Sequence, residues 1–108
     1  MSVAPAGMLE TAIYAEDLEA AHAFYSGVLE LPVVTSVPGR HVFYRCGNAM
    51  LLVFNPNSTS VPPGKDALPV PPHGAKGPGH ACFRAGAGEI AMWRERLTAA
   101  GIEIESEF

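Results

Sequence analysis

The chain has 108 residues, 48% of them apolar and 17% charged, which is the balance of a packed domain and excludes a disordered segment. A net charge of −4 argues against the clustered Lys and Arg that a nucleic-acid surface needs, and no apolar run reaches the roughly 18–20 residues of a membrane span. The opening Met-Ser-Val-Ala-Pro-Ala-Gly lacks the basic and apolar stretches of an export signal. Two cysteines, Cys46 and Cys82, make no disulfide scaffold, so a cytoplasmic domain is expected, with no nucleic-acid or membrane partner.

Residues 9–15, Leu-Glu-Thr-Ala-Ile-Tyr-Ala, predict a first strand. Asp17 then caps a helix that places Leu18, Ala21, Tyr25, Val28 and Leu29 on one face, ending before Pro32. Three strands follow: residues 33–37, stopped by Pro38-Gly39; residues 41–46; and residues 49–55, the last two joined by a Gly47-Asn48 hairpin turn. Residues 56–78 hold seven of the ten prolines and little apolar periodicity. They read as an extended linker, with a loop over a pocket as the sharper alternative.

After the linker the order restarts. Residues 80–85 predict a strand, residues 89–100 a helix with Ile90, Trp93 and Leu97 on its apolar side, Gly101 its cap, and residues 102–105 a strand. Glu10 then falls on His80, Phe24 on Trp93, Val28 on Leu97 and Val33 on Ile102, an internal repeat at an offset of about 70 residues. The chain is thus expected to hold a first module over residues 8–55, the linker over 56–78 and a partial second module over 79–108. The second module lacks sequence for its third and fourth strands, so truncation of a longer protein is expected.

Strand alternation puts Glu10, Ala12 and Tyr14 on one face, and His80, Cys82 and Arg84 on one face of the counterpart strand. If a pseudo-twofold axis relates the modules, Glu10 and His80 converge beside it. A carboxylate and an imidazole suit Mn, Fe, Zn, Ni or Co, although two ligands alone do not make a site. A surface carboxylate and an ordinary strand histidine are the plain alternative.

The segments Leu-Glu-Thr-Ala-Ile-Tyr-Ala-Glu-Asp-Leu from residue 9, Ala-Phe-Tyr from 23, Val-Leu-Glu-Leu from 28 and Gly-His-Ala-Cys-Phe from 79 resemble the vicinal oxygen chelate superfamily. That superfamily comprises glyoxalase I, extradiol dioxygenases, fosfomycin-resistance enzymes and bleomycin-resistance proteins. The resemblance implies an α+β fold of paired βαβββ modules around a divalent metal, the second module here incomplete. It also implies Glu10 and His80 as metal ligands. A further ligand position falls near Leu51 or Leu52, neither of which can bind a cation, and another would lie past Phe108.

On this reading Arg84 orients an anionic substrate group, and Tyr14, where glutathione-dependent members carry an arginine, lines the pocket. Cys82 shares the His80 face, and His73 sits on the linker where it can close over a ligand. The residue that moves a proton is not identified. His22 reads as solvated, His41 as an ordinary strand residue beside Arg40, both cysteines as small buried hydrophobes, and Phe24 and Trp93 as core. The leading expectation is a metal-dependent lyase or dioxygenase acting on a small oxygen-chelating substrate, working as a homodimer. The alternative is a non-catalytic protein that sequesters an antibiotic-like molecule on the same fold.

Overall fold

The computed structural model describes residues 3–108, and the chain divides into two compact units, one ending at Pro78 and the other spanning Gly79–Phe108. The first unit holds β1 (Glu10–Tyr14), α1 (Leu18–His22), β2 (Val33–Val37), β3 (His41–Cys46), β4 (Ala49–Phe54) and a one-turn helix α2 (Pro56–Thr59). Its strands form one sheet in the order β1-β4-β3-β2, with β1 parallel to β4 and the other pairs antiparallel.

Position in the sheet explains the composition of each strand. β4 lies between two neighbours, and Leu51, Leu52, Val53 and Phe54 are all buried, so its sequence is a continuous apolar run rather than an alternation. β2 is an edge strand, exposed along its length and irregular between Val33 and Thr35. Register sorts the two faces. Thr11, Ile13, Leu51, Val53, Val42 and Tyr44 point to one side, and Glu10, Ala12, Tyr14, Leu52, Phe54, His41 and Phe43 to the other.

The core lies on the first of these faces. Tyr44 and Val53, both 0% exposed, and Leu51 pack against Leu18, Ala21, Tyr25 and Leu31. Each such buried side chain contributes on the order of 1.5–3 kcal/mol. Asp17 Oδ1 accepts the Ala20 N–H at 3.0 Å and starts α1 as the sequence predicts. From Ala23 to Val28 the helix widens into a π segment, with the Leu29 N–H reaching the Phe24 carbonyl at 2.9 Å. The apolar spacing does not distinguish this from a regular helix.

The linker carries more structure than its composition predicts. Asn55 Oδ1 caps α2 by accepting the Asn57 N–H at 3.0 Å, and the His73 N–H donates to the Thr59 carbonyl at 2.9 Å. The far end of the Pro-rich segment is thereby tied back onto α2, with Gly74 passing so near Pro56 that an added Cβ would approach it to 3.3 Å.

The second unit holds a 3-10 turn (Ala87–Glu89) and α3 (Ile90–Ala99). The Gly86 N–H donates to Glu89 Oε1 at 2.8 Å, and Gly101, at φ +77°, lets the Ile102 N–H close on the Leu97 carbonyl at 2.9 Å. The strands expected at 80–85 and 102–105 do not form. In the first unit β1 is laddered only to β4, and residues 79–108 contain no counterpart of β4 for residues 80–85 to join. The expected burial of Cys82 and Trp93 is corrected too. Cys82 is exposed, and Trp93 is half-buried beneath the Arg96 guanidinium at 4.4 Å.

Candidate functional site

The sheet face opposite α1 carries the polar and aromatic residues that have no place in the core. Its centre is Phe54, the last residue of β4, only 6% exposed. Cross-strand register sets Tyr14 beside it on β1 and His41 beside it on β3, while Phe43 stands two residues along β3. The ring centroids of Tyr14, His41 and Phe43 lie 6.3, 5.8 and 5.4 Å from that of Phe54. The linker adds His73, whose ring meets Phe54 nearly edge-on at 4.6 Å.

Two of the sequence candidates are thereby joined. The Tyr14 hydroxyl and His73 Nδ1 share a hydrogen bond of 2.8 Å although 59 residues separate them. His73 closes over the protein's own tyrosine and phenylalanine, which places the linker at the site.

His41 has an environment that its sequence position does not announce. The Val37 carbonyl accepts the Arg40 N–H at 3.0 Å across a Pro38-Gly39 turn, where Gly39 adopts φ +76°. That turn brings Arg40 Nη1 to 2.6 Å from His41 Nδ1 and the guanidinium to 5.6 Å over the Phe54 ring. A guanidinium only donates, so His41 Nδ1 is the acceptor and Nε2 carries the proton. Burial, and then the Arg40 charge, hold the His41 pKa below its ordinary 6.5. On the opposite face the exposed His22 bonds the buried Tyr44 hydroxyl at 2.9 Å, so it is not simply solvated. Burial, and then Tyr25, raise the pKa of Tyr44.

Glu10 opens β1, exposed to solvent and opposite Met50. The register also resolves the Leu51 or Leu52 ambiguity: Leu52 shares the Glu10 face and Leu51 faces α1, so an aliphatic side chain stands where a β4 ligand would project. Among the described residues no three His, Cys, Asp or Glu side chains cluster to hold an ion. In the second unit His80, Cys82 and Arg84 are all exposed in a stretch without a ladder.

Sequence reasoning missed Phe54, Phe43 and Arg40. The signal was available in the turn lengths, because the two-residue Gly47-Asn48 turn fixes the β3–β4 register and sets Phe54 opposite His41.

Among the described residues no helix is long and apolar enough to cross a membrane. No curated protein matches the chain. A lactoylglutathione lyase from Agrobacterium tumefaciens is similar at 45% identity and TM-score 0.85, over 95% of this chain and 76% of that one. A glyoxalase/bleomycin resistance protein/dioxygenase from Nocardioides matches at 22% identity and TM-score 0.66, over 97% of this chain and 68% of the other. The fosfomycin resistance protein FosX of Listeria monocytogenes matches at 17% identity and TM-score 0.67, over 97% and 73% of the two chains. The last two share the fold alone. The model of one family matches residues 7–108, and with it the chain belongs to the glyoxalase/bleomycin resistance protein/dioxygenase superfamily.

Proposed function

We propose that this chain binds a small planar organic molecule on the sheet face around Tyr14, Phe54 and His73. The observation that supports this most is the aromatic surround of Phe54, where a phenol, two imidazoles and a phenyl ring gather on the side of the sheet away from the core. Small-molecule sites combine apolar and aromatic walls with a few placed polar groups. Leu52 and Met50 would supply further apolar wall, and the exposed Ala12 leaves room over β1. Tyr14 and His73 would orient a ligand through the hydroxyl lone pair and the ring Nε2 that their mutual hydrogen bond leaves over.

A second reading is metal-dependent lyase or dioxygenase chemistry. It is favoured by the 45% identity to a lactoylglutathione lyase from Agrobacterium tumefaciens, and by Glu10 and His80 at corresponding positions of the repeat. In that reading Glu10 and His80 contribute two ligands, with Arg84 and Cys82 near the substrate, in a homodimer built from module pairs. A divalent ion would supply Lewis-acid stabilisation of an enolate or oxyanion. At least one further protein donor would be needed.

One titration separates the two readings. Catechol added to chelator-treated protein is expected to shift the Tyr14, Phe54 and His73 resonances saturably. Binding that appears only after loading with zinc or nickel, and is lost in Glu10→Ala or His80→Ala, would transfer the proposal to the metal reading. No saturable shift on this face in either state would remove both.

A further inference from the structure

Resting on the proposed ligand face, we infer that its Arg40–His41 corner recognises an oxyanion group, so that the molecule bound there is a planar carboxylate or phosphate. Arg40 spends one N–H on His41 Nδ1 at 2.6 Å and is only half-buried, which leaves the rest of its donor fork available. That bond also fixes His41 as a neutral Nε2–H donor. His41 is 8% exposed, yet no buried side-chain nitrogen or oxygen among the described residues lacks a partner. Its Nε2, which makes no hydrogen bond of its own, is therefore not completely sealed from solvent. His73 Nδ1 is taken by Tyr14, and its Nε2 is likewise left over.

These groups surround one ring. Arg40 sits over Phe54 at 5.6 Å, with His41 at 5.8 Å and His73 at 4.6 Å from its centroid. Of the carboxylates around the adjoining Gly39, Glu16 pairs with Lys76 at 3.4 Å and Asp17 caps the α1 backbone, while Glu19 borders the same depression as His41 and is the one negative group the anion must face. An anion meeting a guanidinium and an imidazole N–H gains charge-assisted hydrogen bonds, which are roughly twice as strong as neutral ones. The aromatic rings beside them favour a flat ligand body.

The test compares benzoate with neutral benzamide, which has the same shape, by following the histidine ring nitrogens of the whole chain during titration. Benzoate is expected to shift His41 Nε2 and His73 Nε2 saturably and to bind at least tenfold more tightly than benzamide. Arg40→Gln is expected to remove that preference, so that benzoate binds no more tightly than benzamide. Equal affinity for the two compounds would overturn the oxyanion assignment and leave the ligand face intact. Failure of both compounds to bind would overturn the ligand face as well. If Arg40→Gln does not fold, the wild-type comparison decides alone.

Discussion

At the scale of single residues, His41 carries the most information. Its pKa is depressed in the folded protein, so the unfolded chain binds the proton more readily below the ordinary value of 6.5. Stability contributed by neutral His41 is therefore complete above that pH and is lost as the pH falls through 6.5 toward the lower native value. Urea melts of wild type and His41→Phe at pH values from about 8 to 5 should show the wild type losing more stability on acidification, because the other three histidines are common to both proteins. Tyr14→Phe deletes one partly buried hydrogen bond and should cost about 0.5–1.5 kcal/mol in the same melts. A loss near zero would mean that the Tyr14–His73 bond does not form in solution.

Individual roles were unevenly legible in the sequence. Tyr14 and His73 both stand out as candidates, one by strand alternation and the other as a loop imidazole. Their bond could not be read, because a Pro-rich segment has no periodicity to say where it docks. Arg40 and His41 look ordinary until the Pro38-Gly39 turn and the β3–β4 register set them around Phe54.

At the scale of elements, local pattern succeeds where local chemistry decides. The four strands of the first unit and the Asp17 cap follow from alternation, turn pairs and a capping side chain. Residues 80–85 alternate equally well and form no strand, because alternation specifies a face and not a partner. The turn before β3 gives an element-level prediction. Gly39 has open space around its missing Cβ but sits at φ +76°, so Gly39→Ala should cost about 1–2 kcal/mol by backbone strain alone. The Arg40–His41 contact would loosen with it, and an unchanged denaturation midpoint would contradict the turn. Asn55→Ala, which removes the α2 cap and the bond to the Gly39 carbonyl, should cost about 1 kcal/mol by the same measurement.

At the scale of the whole molecule, stability is unevenly distributed. Among the described residues all the buried ones belong to the first unit, in β3, β4 and α2, whereas α3 buries none of its ten. A helix of that length gains little from propensity alone. Amide exchange should therefore be slowest in β3 and β4 and fast throughout 79–108. Protection of α3 equal to that of β4 would show that the second unit is as firmly held as the first. Family membership was legible in the sequence because the repeat order and the opening strand-helix segment survive in it. The ligand chemistry was not, since the repeat directs attention to Glu10 and His80 while the aromatic surround is assembled by register and by a loop.

The most direct test places a bound molecule on the sheet. Intermolecular nuclear Overhauser effects between catechol ring protons and chelator-treated protein should reach the side chains of Tyr14, Phe54 and His73. Contacts confined to the α1 side of the sheet, or to residues 79–108 alone, would contradict the account.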